Sequence, residues 1–235
     1  MKKVYVFIKK TATFLFLIIL FFQLVTISYA ENIIYRQVSN DNMQIALTFD
    51  DGPHPGRTSE ILDILEKFNI KATFFPIGEN IQNYPDVFND IIKAGHEIGN
   101  HTFSHSSLKN CSINTISEEL GTFEKAISKH DCKRTTLIRP PEGSYNDQLK
   151  TYAQENNYRI ILWSVDTMDW AHKSVEEIVD NVMHNTTGGD IILMHDYISG
   201  KSSTREALKI FIPKLIERGF EFVTVSDLIN KSAQE

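Results

Sequence analysis

The feature that most constrains this chain is an alternation of short, β-rich apolar runs with amphipathic stretches of helical character. Strand-like runs cover residues 44–49, 72–75, 97–99, 136–138, 159–165, 191–194 and 221–225. Helix-like stretches lie between them at 60–68, 84–94, 115–129, 146–155, 175–183 and 204–217. Ser174, ahead of Val175-Glu176-Glu177, is placed to cap one of these, and Pro213 is expected to kink or shorten the last. Seven strands alternating with helices predict an α/β fold with a mainly parallel sheet. The polar residues then fall in a pattern. Asp50 and Asp51 follow the first strand, His101 the third, Arg139 the fourth, Asp166 the fifth, and His195 with Asp196 the sixth. In a closed parallel barrel the carboxyl ends of the strands are where active sites are built. Five loops converging there argue for an enzyme.

The first 30 residues stand apart. Lys2, Lys3, Lys9 and Lys10 precede an apolar run over 14–27, and Ser28-Tyr29-Ala30 puts small residues at the −3 and −1 positions of a cleavage site. This is the layout of a secretory signal peptide cut after Ala30. The length of the apolar run leaves an uncleaved membrane anchor as the alternative. Either way the remaining chain is expected outside the cell, secreted or associated with the wall or membrane. Residues 31–235 suffice for one domain with a substantial core, expected to be a monomer, and no repeat or Pro/Gly/Ser-rich linker divides them. Without the four leader lysines the formal net charge goes from −6 to −10, which argues against nucleic acid or an anionic membrane as the main partner. Two cysteines in an exported chain suggest a disulfide. The predicted helix between Cys111 and Cys132 argues against it, because a straight helix would hold its ends about 25–30 Å apart.

Two elements carry the chemistry. Asp50 and Asp51 are adjacent in Thr48-Phe49-Asp50-Asp51-Gly52, and His101 and His105 are spaced His-x-x-x-His, which would set both imidazoles on one face of a helical turn. Two histidines and one carboxylate are a common catalytic zinc set with a coordination position left open, and one carboxylate is spare to act as a base. The competing readings are a plain Asp-Gly-Pro turn and a surface turn with two unrelated histidines.

Further along stand Arg139-Pro140-Pro141-Glu142-Gly143, Asp166-Thr167-Met168-Asp169-Trp170 and Leu193-Met194-His195. With the two segments above, in that order, they resemble the five motifs of the polysaccharide deacetylases, the NodB-homology or carbohydrate esterase family 4 domain. The resemblance covers about 150 residues. It implies a distorted, incomplete (β/α) barrel of about seven parallel strands with outer helices, and metal-dependent removal of acetyl groups from N-acetylated sugars. Carried over, Asp51, His101 and His105 would hold the metal, and Asp50 would be the general base. Arg139 would contact that base and favour its ionised form. His195 would be the general acid, with Asp166 holding its imidazole. Pro141 and Glu142 would lie along the substrate, the Glu142 backbone N–H helping to bind the oxyanion. Trp170 and Leu193 would line the pocket for the acetyl methyl group. The family often has an aromatic residue where Glu142 stands. The main-chain donor survives that change and a sugar-stacking ring does not; Tyr145 is a candidate replacement surface.

Zinc is the expected metal, with cobalt, nickel or manganese as alternatives for this ligand set. Export points to cell-wall substrate, peptidoglycan first and chitin-like oligosaccharide second. An acetyl-ester hydrolase acting on xylan-type polysaccharide would use the same site. A non-catalytic glycan-binding domain would be expected to lack a base, ligand or acid, and all are present here.

Overall fold

The computed structural model describes residues 33–39 and 43–232. The leader reading lies outside the described residues, among which no helix is long and apolar enough to cross a membrane.

At the centre lies β2 (Gln44–Asp50), seven residues buried along their whole length. An unbroken buried run of this kind belongs to a parallel sheet covered on both faces. Parallel to it run β3 (Thr73–Phe75), β4 (Glu97–Ile98), β7 (Val165–Asp166), β8 (Ile191–His195) and β9 (Glu221–Val223). The order is β4-β3-β2-β8-β7, with β9 also pairing β2. A second parallel sheet has the order β1-β6-β5, formed by Ile34–Tyr35, Arg159–Ile161 and Leu137–Ile138. The bridge between Asn100 and Ile138 links β4 to β5, so the two sheets follow one another around a distorted barrel that does not close.

Helices α1 (Arg57–Lys67), α2 (Gly78–Asn83), α3 (Pro85–Lys93), α4 (Ile113–Ile127), α5 (Asp147–Glu155), α6 (Val175–Asn185), α7 (Thr204–Glu217) and α8 (Val225–Ser232) complete the described fold. Their apolar stripes supply the core: Ile61 and Leu65 of α1, Phe88 and Ile91 of α3, and Phe211 and Leu215 of α7 pack with Phe49 and Phe74, whose rings stack 5.0 Å apart. Full burial of each such side chain is worth about 1.5–3 kcal/mol. On the other sheet, Ile116 and Leu120 of α4 and Leu149 and Ala153 of α5 pack with Ile138 and Ile160. Ser174 does cap α6, with a reciprocal bond between Glu177 and the Ser174 backbone.

The parallel α/β expectation holds, with three corrections. The 159–165 run is two strands in two sheets: Leu162 N donates to Tyr35 O on one side of the crossing, and Ser164 N to Ile191 O on the other. Of the two effects expected of Pro213, the shortening does not occur, since α7 runs through it. The carbonyl that Pro213 leaves without its helical N–H belongs to Lys209, an exposed position where water can replace it. Short β1, α2 and α8 carry too few periodic residues to stand out in sequence. Cys111 and Cys132 are free and flank α4, as the helix between them required.

Candidate active site

Strand register sets the first geometry. Asp50 at the end of β2 is paired with His195 at the end of β8, so the two side chains start from adjacent strands at one level. Asp51 has left the strand with φ 76°, a left-handed turn that re-aims its carboxylate away from the alternation Asp50 obeys. Adjacent carboxylates thereby acquire different surroundings.

Asp51, His101 and His105 come together, each offering a ligand atom within 4.8 Å of the others. Asp51 Oδ1 lies 3.4 Å from His101 Nε2 and 3.2 Å from His105 Nε2. The pair is not presented by a helical turn, however: residues 101–105 form a loop with left-handed Thr102 (φ 68°) and His105 (φ 60°). The rings meet because the loop folds, with centroids 5.1 Å apart at 57°. His101 Nδ1 is 2.7 Å from the Arg139 carbonyl. A carbonyl only accepts, so Nδ1 carries the proton and Nε2 faces Asp51.

Burial works to raise the Asp51 pKa, but the close approach and charge of His101, with the charges of His105 and His195, hold it below its ordinary value. Burial works to lower that of His101, and Asp50 and Asp51 overturn it, so His101 is raised. Burial and the charge of His101 leave His105 lowered, against the pull of Asp51, Asp50 and Glu142. Asp51 Oδ1 is buried without a hydrogen-bond partner, although two imidazole nitrogens face it. An anionic oxygen between two nitrogens whose lone pairs compete for a proton fits a divalent cation, which would replace that proton.

Asp50, 3 % exposed, is held from behind: Arg139 Nη1 donates to its Oδ1 at 2.8 Å and to Thr48 Oγ1 at 2.8 Å. Arg139 is fully buried, its other nitrogens bonding the Ile161 and Leu162 carbonyls and its guanidinium 4.2 Å from the Phe75 ring centroid. Such a pair is weak evidence for net stability, but removing one partner strands a buried charge at a cost of about 3–5 kcal/mol. Asp50 Oδ2 lies 3.8 Å from His101 Nε2, on the side of the metal candidates.

His195 is brought to the same site, but Asp166 does not hold it. Its Nδ1 is 2.8 Å from Asp169 Oδ1, and its backbone N donates to Asp169 Oδ2 at 2.9 Å. Met168 is left-handed (φ 56°), and the turn Asp169–Ala171 that follows sends Asp169 inward, where Thr204 Oγ1 also donates to it. Asp166 instead accepts from Met168 N and from Trp170 Nε1 at 3.2 Å. Burial opposes protonation of His195, but the Asp169 bond and charge prevail and its pKa rises to about 9. Pro141 is buried in the turn Pro141–Gly143, Glu142 is exposed there with φ 59°, Leu193 is buried in β8, and Trp170 is 49 % exposed.

Sequence reasoning gave Asp169 no role although it quoted the residue; two carboxylates three apart could not be told apart without the left-handed Met168. It also missed the work of Asp196, which is 2 % exposed. Its oxygens accept from Gly52 N at 2.9 Å and Thr58 Oγ1 at 2.7 Å, fastening the loop after Asp51 to the strand end that carries His195. A side chain at position 52 would overlap this carboxylate, which is why glycine stands there.

The geometry has counterparts in known proteins. The family described as polysaccharide deacetylase matches residues 37–161. A peptidoglycan-N-acetylglucosamine deacetylase of Bacillus cereus is 41 % identical over 195 residues, covering 82 % of this chain and 91 % of that protein. The peptidoglycan-N-acetylmuramic acid deacetylase PdaC of Bacillus subtilis is 39 % identical over 184 residues, 78 % of this chain but 38 % of that longer protein. Among solved structures, a peptidoglycan N-acetylglucosamine deacetylase superposes with a TM-score of 0.82 at 36 % identity, covering 85 % of this chain and 94 % of that one. With ordered motifs, an incomplete parallel barrel and these matches in agreement, the chain belongs to the polysaccharide deacetylase family, carbohydrate esterase family 4.

Proposed function

We propose that this enzyme removes N-acetyl groups from peptidoglycan outside the cell, with N-acetylglucosamine as the favoured sugar, releasing acetate and a free amine. The observation that carries the reading is the convergence of Asp51, His101 and His105 beside two differently held proton carriers, Asp50 and His195. The sugar preference rests on the glucosamine deacetylase relative, most of whose length this chain spans. The export reading rests on the lysines and apolar run ahead of Ala30.

Asp51, His101 and His105 would hold a divalent cation, zinc by the ligand set, which when bound supplies Lewis-acid activation of water and of the amide carbonyl. Asp50 would take a proton from the attacking water at Oδ2, because Oδ1 is engaged by Arg139. The Glu142 backbone N–H would donate to the carbonyl oxygen as negative charge develops on it. As the C–N bond breaks, His195 would give its Nε2 proton to the departing nitrogen while Asp169 holds Nδ1. With its pKa at about 9, His195 enters the reaction protonated at neutral pH. The Trp170 ring and Leu193 would border the acetyl methyl group.

The test is to incubate the protein, with and without chelator, with intact wall, defined N-acetylglucosamine and N-acetylmuramic acid glycans, and acetylated xylan, and to identify products by mass. Deacetylated glucosamine formed only without chelator is the expected result; acetate from xylan alone would replace the amidase reading with the ester one. Asp50→Asn should keep metal and lose nearly all turnover, and wild-type acetate release from it would remove Asp50 as the base.

A further inference from the structure

The segment between the two histidine ligands is held in a conformation its residues do not prefer. Thr102 and His105 are both left-handed, and Thr102 is β-branched and fully buried with its Oγ1 unpartnered. Each such residue costs about 1–3 kcal/mol and persists only when its surroundings over-determine it. Here they do so from two sides. From the start of α2, Gly78 N and Glu79 N donate to the Thr102 and Phe103 carbonyls at 3.0 and 2.9 Å. From α4, Glu119 supplies the opposite polarity: Oε2 accepts from Phe103 N at 3.1 Å and Ser104 N at 2.9 Å, and Oε1 from Ser104 Oγ at 2.8 Å.

We propose that Glu119 is a positioning residue for the metal centre, fixing where the His105 imidazole stands relative to His101 and Asp51. His101 is already located by the Arg139 carbonyl, whereas His105 is a half-exposed ligand at the far end of the clamped loop. A carboxylate suits the task because it is acceptor-only and takes three donors at once. A glutamine could keep its oxygen on the two backbone N–H groups and give its NH₂ to Ser104 Oγ, which can accept, so the test must remove the polar group altogether. The inference rests on the metal-site reading above.

Zinc titration of the full chain against a competing chromophoric chelator tests it. Glu119→Ala should weaken zinc affinity by about 10–100-fold, the usual effect of losing a group that orients a ligand. Excess zinc should restore acetate release. Ser104→Ala removes one of the three donors and should weaken affinity less, while Glu118→Gln, on the exposed side of the same helix, should leave it unchanged. Unchanged affinity in folded Glu119→Ala overturns the proposal; should that variant not fold, unchanged affinity in Ser104→Ala overturns it instead. A wild-type chain that takes up no zinc overturns the metal site and the clamp together, whereas wild-type uptake with unaltered variants overturns the clamp alone.

Discussion

On one side of the site, Asp51 and His105 are placed through left-handed backbones and His101 through the bond of its Nδ1 to the Arg139 carbonyl; on the other, His195 is placed by a single carboxylate that holds both its ring and its backbone. The ligand side uses three left-handed residues, Asp51, Thr102 and His105; the first two are tied down by bonds from neighbouring elements, and His105 stands at the end of the loop that those bonds and Glu119 hold. The acid side is a strand end, in regular register with Asp50, whose imidazole depends on one carboxylate. Asp169 uses both oxygens there, one on the His195 ring and the other on the His195 backbone and Thr204. The difference teaches how each side should fail. Three-atom ligation needs positions fixed to fractions of an ångström, so the ligand side is over-determined and tolerates little. Proton donation needs one tautomer and one pKa, so the acid side should lose rate before structure.

Stripping the metal is the harshest way to test this contrast. Chelation should abolish nearly all acetate release, and added divalent ion should restore it, because the acid side is untouched. Full activity in the chelated protein would remove the ligand side from the mechanism. Next in size is Asp169→Asn, expected to lower kcat/KM by about 10²- to 10⁴-fold, the span that general acid catalysis commands. Asp166→Asn should cost far less, since its carboxylate bonds Met168 N and the Trp170 ring rather than His195. Equal losses in the two variants would break the assignment of Asp169.

Gly52→Ala should act between the two sides. Its methyl group would overlap the Asp196 carboxylate, forcing the loop after Asp51 off the strand end that carries His195. Thermal or urea unfolding should register about 1–3 kcal/mol of lost stability, as overpacking a tight site does. A variant as stable as wild type, with unchanged turnover, would mean that the fastening carries no strain.

A smaller effect concerns pH alone. With the His195 pKa raised to about 9, kcat/KM should fall on the alkaline side through that value as the acid loses its proton. Asp169→Asn should move this limb to lower pH, because Asp169 supplies the hydrogen bond and charge that raise it. A limb that stays near 9 in the variant would detach it from His195.

How much of this was legible in sequence follows from the same contrast. The β2, β3 and β8 runs, and the helices that cover them, were visible because their apolar spacing is local and their burial complete. Asp50, Asp51, His101, Arg139 and His195 could be located because each ends or follows a strand, and His105 because of its spacing from His101. What stayed hidden depends on left-handed residues that no periodicity announces. Thr102 and His105 turned an expected helical turn into a loop, and Met168 moved the histidine's partner from Asp166 to Asp169. The crossing at Leu162 and Ser164 was hidden for another reason: both halves of the run are equally apolar, and only the partners Tyr35 and Ile191 separate them.

His96 offers a control remote from both sides. It is 8 % exposed, and its Nδ1 accepts from Ala72 N at 3.1 Å, so protonating that nitrogen breaks a buried bond. Burial, aided by the charge of Lys71, pushes its pKa down to about 4. The folded chain therefore binds fewer protons here than the unfolded chain between about 4 and the ordinary 6.5. The contribution is whole above 6.5 and is lost as pH falls, by at most about 1.4 kcal/mol per pH unit. Asp196, pushed up to about 7 by burial, titrates over an overlapping range with the opposite sign, because its folded form keeps a proton that the unfolded form releases. The informative quantity is thus the difference between wild type and His96→Gln, whose amide oxygen can still accept from Ala72 N. Urea unfolding of the metal-free proteins should show stabilities that converge as pH drops from 6.5 towards 4, while the alkaline limb of kcat/KM stays where it was. If the gap does not narrow, His96 is not the group that titrates; if the alkaline limb moves as well, the scaffold and the acid side are coupled, and the contrast between the two sides of the site must be redrawn.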